Sequence, residues 1–126
     1  MDREGAGGSL MSDETETVLP EPGTVLKTLS EIPDPGGLPA DFEPTPIVIL
    51  RTGETVTAYL NVCPHAGRPF SLPSGKTLVS EGRYLVCPFH GASFDVTTGA
   101  CVGGPAGKSV LKPVAVTVVD GQVVAA

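Results

Sequence analysis

Tryptophan is absent from this 126-residue chain, and aromatic residues make up only 5% of it. No run of 18 or more apolar residues is present, so the sequence contains no candidate membrane-spanning helix. The N-terminal region also lacks the basic segment followed by an apolar run that marks a secretory signal. These absences predict a protein without a membrane association, and a cytoplasmic location is the simplest expectation.

Cysteine, histidine and clustered basic residues are scarce too. The chain has three cysteines and two histidines, and an odd number of cysteines does not predict a disulfide framework. No cluster of Lys and Arg is present, which argues against nucleic-acid binding. The G-x-G-x-x-G fingerprint of a dinucleotide-binding unit is missing as well. The sequence therefore predicts neither a disulfide framework, nor nucleic-acid binding, nor a dinucleotide-binding unit.

Glycine and proline, in contrast, are abundant, with 16 and 13 residues respectively. Apolar and β-branched segments alternate with short glycine-containing turns, which is the pattern of β-hairpins. The segment 33–46 contains five prolines and three acidic residues and is predicted to be a surface loop. The first predicted strand is 24–29. Four hairpins are predicted to follow it, with strands at 47–51/55–61, 77–80/83–86, 93–96/100–102 and 114–119/122–124. The sequence thus predicts an all-β domain whose strands feed loops.

The negative charge is concentrated at one end of the chain. Residues 1–22 contain six acidic side chains against Arg3, while the whole chain has a net charge of −6. A polar, acidic segment with little to bury cannot offset the entropy lost on ordering. We therefore predict a flexible acidic tail over 1–22 and one folded domain over 23–126.

Two short motifs contain both histidines and two of the cysteines. The first is Cys63-Pro64-His65, and the second, 21 residues further on, is Cys87-Pro88-Phe89-His90. Each motif offers one thiolate and one imidazole. Such mixed pairs suit a two-iron cluster in which one iron takes both sulfurs and the other takes both nitrogens. A zinc site is the alternative, because zinc accepts two Cys and two His, but zinc-finger spacing groups the cysteines together.

The surrounding residues resemble the Rieske ferredoxin family over approximately residues 24–126. The stretches that carry this resemblance are CPHAGRPF (63–70), CPFHGASFDVTTG (87–99) and GGPA (103–106). The resemblance is strongest to the ferredoxins that serve bacterial ring-hydroxylating dioxygenases. It implies a small antiparallel β-sandwich with a cluster-binding subdomain formed by two ligand loops. By the same resemblance, Gly67 and Gly91 let these loops turn closely around a cluster.

The family match implies one [2Fe–2S] cluster per chain, with four ligands. Cys63 and Cys87 would hold one iron, and His65 and His90 would hold the other. The chain would then be a soluble one-electron carrier and not an enzyme, because no further histidine is available for a mononuclear oxygenase iron. Its implied partners are an NAD(P)H-dependent flavoprotein reductase and a terminal oxygenase. Two alternatives stay open: a Rieske-like small subunit of a nitrite-reductase type enzyme, and a redox or iron sensor.

Departures from the respiratory members of the family bear on the reduction potential. Those proteins have an additional cysteine in each loop, and Arg68 and Phe89 stand at the matching positions here. They also place Ser and Tyr hydroxyls near the cluster, where this chain has Ala92 and Phe94. Fewer hydrogen-bond donors stabilise the reduced cluster less. We therefore expect a potential near the lower end of the range of about −150 to +300 mV that Rieske centres span.

Overall fold

The computed structural model describes residues 18–63, 69–72, 74–88, 91–103 and 109–126. Within these ranges the chain forms ten β-strands and one short 3-10 turn at Leu29–Glu31. The strands β1 to β10 are, in order, Val25–Thr28, Gly36–Pro39, Ile47–Thr52, Thr55–Leu60, Val79–Ser80, Tyr84–Val86, Ser93–Asp95, Cys101–Gly103, Val116–Val119 and Gln122–Ala125. No α-helix occurs in these ranges, and the expected all-β fold is confirmed.

Antiparallel pairing arranges the strands in three small sheets, ordered β1-β10-β9, β2-β3-β4 and β5-β6-β7-β8. All four predicted hairpins form, as β3–β4, β5–β6, β7–β8 and β9–β10. The last of these turns at Asp120 and Gly121, both with positive φ, as a two-residue hairpin turn requires. Local turn chemistry thus decides which strands are neighbours.

The prediction that 33–46 is entirely a loop is wrong, because β2 lies inside it. Gly36–Pro39 pairs with β3 in the register Gly36↔Arg51 to Pro39↔Val48. At Gly37 an added Cβ would lie 2.8 Å from the Ile49 carbonyl oxygen, so only glycine allows the two backbones to come this close. Proline is tolerated at the end of β2 because β2 is an edge strand. The high proline content concealed the strand in the sequence.

The strand β3 is buried on both faces and separates two hydrophobic cores. Because side chains alternate along a strand, Ile47 and Ile49 enter one core while Val48 and Leu50 enter the other. We call the first the outer core; it consists of Leu26, Ile32, Ile47, Ile49, Ala58, Val114 and Val123. We call the second the cysteine core; it consists of Val48, Leu50, Tyr59, Cys63, Phe70, Leu85, Cys87, Ala92, Phe94, Val96 and Leu111. The continuous apolar run at 47–50 is explained by this double burial.

A segment between the sheets ties them together. Leu60 N donates to Lys112 O (3.0 Å) and Val114 N donates to Ala58 O (2.8 Å), so residues 112–114 run along the free edge of β4. In the described part of the chain, no helix is long and apolar enough to cross a membrane. The arrangement places the ends of β4 and β6 against one core, where the two cysteine motifs begin.

Candidate metal centre

The two motif cysteines lie in the same hydrophobic core. Cys63 follows β4 and Cys87 directly follows β6, and their exposed fractions are 0% and 1%. Both belong to the cysteine core, which brings together segments that are 24 positions apart in the sequence. A buried thiol that only fills space is common. Two buried thiols in one core, each at the start of a loop, are the sulfur donors that a shared metal group would use.

The second loop, residues 87–92, is closed by hydrogen bonds at its base. Cys87 N donates to Ala92 O (2.8 Å), and Gly91 N donates to Cys87 O (2.9 Å). Gly91 has φ of +77° and open space around its Cα, so it supplies the left-handed conformation that the return of the chain needs. The turning role expected for Gly91 is consistent with this geometry, while Gly67 lies outside the described residues.

The first loop, residues 63–70, is closed by a side chain. Asn61, at the end of β4 and 4% exposed, accepts a hydrogen bond from Phe70 N at its Oδ1 (2.8 Å). Its Nδ2 donates to Ser71 Oγ (3.1 Å), which lies 2.8 Å from Thr77 Oγ1. This network connects the start of the loop, its end and the approach to β5. Asn61 belongs to no recognisable motif, and its position two residues before Cys63 is the only signal of its role in the sequence.

Phe70 connects the two loops from inside the core. Its ring packs edge to face on Phe94, with centroids 5.6 Å apart and planes at 82°, and neither side chain is exposed. Phe94 belongs to β7, which follows the second loop. Phe70 is thus a fully buried core residue that packs between the segments bearing the two loops.

The two histidines of the motifs, His65 and His90, lie outside the described residues, as do Gly104 and Pro105 of the third stretch. The described ranges accordingly contain no group of three or more metal-ligating side chains. The donor chemistry that is visible fits an iron–sulfur group, because both thiols are buried together at the start of their loops. The assignment of Cys63, His65, Cys87 and His90 as the four ligands stays a prediction.

The third cysteine, Cys101, differs from the other two. It is half-buried on β8, packs against the cysteine core and has its Sγ 3.4 Å from Gly103 O. It belongs to neither of the two motifs that pair a cysteine with a histidine. Cys101 therefore offers a natural comparison with the motif cysteines in experiments.

Tyr59 is a buried titratable group in the same core. Burial raises the pKa of its hydroxyl above the ordinary value of 10.0; the neighbouring Thr57 side chain opposes this shift and the charge of Asp95 adds to it. The hydroxyl donates to Val96 O (3.0 Å), which also accepts from Thr57 Oγ1 (2.7 Å). Tyr59 is thus a neutral, satisfied core residue that joins β4 to the end of β7.

Solved structures of known proteins share this fold. The Sphingomonas yanoikuyae B1 ferredoxin is 26% identical, with a TM-score of 0.68 over 82% of this chain and 96% of that one. The ferredoxin of carbazole 1,9a-dioxygenase from Nocardioides aromaticivorans IC177 is 24% identical, with a TM-score of 0.70 over 84% and 98%. A protein assigned as the small subunit of an NADPH nitrite reductase is 21% identical, with a TM-score of 0.62 over 82% and 96%.

Sequence comparison points to the same family. A curated relative, the cytochrome bc1 complex Rieske iron-sulfur subunit of Streptomyces lividans, is 36% identical over 58 residues, which cover 45% of this chain and 31% of that protein. The chain thus matches less than a third of the length of this relative. The family description of the Rieske [2Fe-2S] domain matches residues 24–124, nearly the whole described part. The chain therefore belongs to the Rieske [2Fe-2S] domain family, whose electron-transfer domains carry a single [2Fe–2S] cluster.

Proposed function

We propose that this protein is an electron shuttle whose cluster is held by Cys63 and Cys87 on one iron and by His65 and His90 on the other. The observation that carries the proposal is the burial of both motif cysteines in one core, each at the start of a loop that also contains a histidine. Such a donor set matches the Rieske type of ligation.

When bound, the cluster supplies a site that accepts and releases one electron at a time. The chain itself supplies a dry environment and a fixed frame. Phe70 and Phe94 exclude water beneath the loops, because both are fully buried beside the cysteines. Hydrogen bonds close each loop at its base, between Asn61 and Phe70 in the first and between Cys87 and Ala92 in the second.

The proposed partners are an NAD(P)H-dependent flavoprotein reductase as electron donor and a terminal oxygenase as acceptor. The similarity to the ferredoxin of carbazole 1,9a-dioxygenase supports the oxygenase as a partner. The sequence lacks a dinucleotide fingerprint and has only two histidines, both used in the motifs. Oxidation of NAD(P)H and activation of oxygen are therefore assigned to partners. A cytoplasmic location belongs to the same proposal.

The test is spectroscopy of the protein reconstituted with iron and sulfide. We expect the absorption and paramagnetic resonance spectra of a mixed nitrogen and sulfur [2Fe–2S] centre. Replacing the neutral imidazole in His90→Cys adds a thiolate, which should keep iron bound but lower the potential by on the order of 100 mV or more. Cys101→Ser is the matched control and should change neither property.

Two results would contradict the ligand assignment. A colourless protein that binds zinc would indicate the alternative metal site. Loss of the cluster in Cys101→Ser, with His90→Cys unchanged in potential, would show that different side chains hold the irons.

A second candidate function is a fixed subunit of a larger reductase, because the fold also matches the small subunit assigned to a nitrite reductase. The two functions differ in stoichiometry. A shuttle supports many turnovers of an oxygenase when present at a small fraction of its concentration, whereas a subunit copurifies with its enzyme in a fixed ratio. Titration of this protein into a reductase and oxygenase mixture separates them.

A further inference from the structure

We propose that Asn61 is a positioning residue for the cluster: its carboxamide sets the distance between the two ends of the first loop. The inference rests on the proposed ligand assignment, because that loop contains Cys63 and His65. No motif in the sequence identifies Asn61. Its contacts in the structure do.

The backbone of Asn61 is fixed to the central sheet. Its N–H donates to Pro46 O (3.0 Å), directly before β3, so the residue is anchored beside the most buried strand. Its side chain then reaches the other end of the loop and accepts from Phe70 N (2.8 Å). A ten-residue segment, 61–70, is thereby closed by one side chain, where the second loop is closed by backbone pairing.

The orientation of the carboxamide follows from its partners. Phe70 N can only donate, so the oxygen of Asn61 faces it and the nitrogen faces Ser71. Ser71 Oγ accepts from that nitrogen and lies 2.8 Å from Thr77 Oγ1. Thr77 can donate in turn to Gly75 O, 3.3 Å away. The Phe70 N–H thus fixes the direction of both bonds made by the Asn61 side chain, whereas either hydroxyl can be the donor between Ser71 and Thr77.

Burial makes this network difficult to replace. Asn61 is 4% exposed and Phe70 is fully buried, so water has no access to the Phe70 N–H if the carboxamide is removed. A buried donor without an acceptor is destabilising, and the loop end would move to find a new one. Phe70 would then lose its edge-to-face packing on Phe94, which adjoins the second loop. The effect of Asn61 thus reaches both cysteine-containing loops.

The test compares cluster retention in three variants at Asn61 and Ser71. Asn61→Leu removes both hydrogen bonds and should speed the release of iron to a chelator roughly tenfold or more, the effect of one lost bond to a buried amide. Asn61→Asp keeps an acceptor for Phe70 N and should retain the cluster far better than Asn61→Leu. Ser71→Ala leaves the Asn61 to Phe70 bond in place and should release iron at close to the wild-type rate.

A control variant with a similar loss of stability distinguishes a specific effect on the cluster from a general destabilisation of the fold. Tyr59→Phe removes a buried hydrogen bond, to Val96 O, from the same core and leaves the bond from Phe70 N to Asn61 in place. At equal urea midpoints, Asn61→Leu should lose iron faster than Tyr59→Phe and should alter the visible circular dichroism of the bound cluster. Equal rates and unchanged spectra would overturn the proposal, as would Asn61→Asp behaving like Asn61→Leu.

The failure of this inference is distinguishable from failure of the proposed function. If the wild type binds no [2Fe–2S] cluster, the ligand assignment is wrong. If the wild type binds the cluster and all three variants match it in iron release and spectra, only the role of Asn61 is wrong. If Asn61→Leu does not fold, Asn61→Ala, which removes the same two hydrogen bonds without adding a larger apolar side chain, takes its place in every comparison.

Discussion

Two buried polar side chains in the described part of the chain join segments that do not pair as strands. Asn61 closes the first loop, and Tyr59 connects β4 to Val96 O at the end of β7. Both have partners in the described part of the chain, as buried polar groups require. The cysteine motifs were recognisable because residue type and spacing together carry the signal. Asn61 was not, because a lone asparagine has no periodicity and its acceptor role depends on Phe70, nine residues away.

At the scale of single residues, we predict a pH-dependent difference between the wild type and Tyr59→Phe. At neutral pH the variant should lose about 0.5–1.5 kcal/mol, because Val96 O keeps its bond from Thr57. The raised pKa of Tyr59 means that the folded state favours the neutral phenol. This contribution is complete below the unfolded value of 10.0 and is lost as the pH rises through the folded pKa.

Urea unfolding at several pH values above neutrality measures this effect. The stability difference between wild type and Tyr59→Phe should be constant up to about pH 9 and should shrink above pH 10. A difference that grows with pH would show that the folded state instead favours the tyrosinate.

Among the elements, the hairpins were predictable and the edge strand β2 was not. The turns Thr52-Gly53-Glu54 and Asp120-Gly121 are recognisable from local sequence, because Gly53, Asp120 and Gly121 adopt a positive φ that few residue types tolerate. The strand β2 depends instead on a non-local fit between Gly37 and the backbone of β3. Proline and glycine normally indicate a loop, so the sequence alone pointed away from a strand.

The fit of β2 can be tested with Gly37→Ala. The added Cβ would lie 2.8 Å from Ile49 O and 2.8 Å from Leu50 Cδ2, so β2 must move away from β3. We expect a loss of about 1–3 kcal/mol in the free energy of unfolding, typical of overpacking.

The matched control is Gly103→Ala in β8, where an added Cβ meets nothing within 4 Å. It should leave the stability within about 0.5 kcal/mol of wild type. Equal destabilisation by both variants would indicate a general cost of losing glycine and not a close backbone approach.

For the whole molecule, the family match and the two cores both lie after residue 23, whereas most of the negative charge precedes it. Residues 1–17 lie outside the described ranges, and the division at residue 22 stays a prediction. The described lead-in does contact the domain, since Thr45 Oγ1 donates to Val18 O and Gly23 N donates to Ala125 O. A truncated protein that tests the predicted tail should therefore retain Val18 as its first natural residue.

Removal of residues 1–17 deletes five acidic side chains and Arg3, which changes the net charge from −6 to −2. We expect the cluster spectrum to be unchanged and the free energy of unfolding to stay within about 0.5 kcal/mol of that of the full chain. A loss of more than about 1 kcal/mol would show that the acidic segment takes part in the fold.

The pairing of β1 with β10 joins Val25 to Val124, nearly the full span of the domain. During synthesis the β1-β10-β9 sheet cannot form until β10 has left the ribosome, although the β3–β4 hairpin can form much earlier. Contacts this distant in sequence slow the final closure of a domain. Until then the core that buries Leu26 and Ile32 is incomplete, so the newly made chain exposes apolar side chains. Exposed apolar surface of this kind is what molecular chaperones bind.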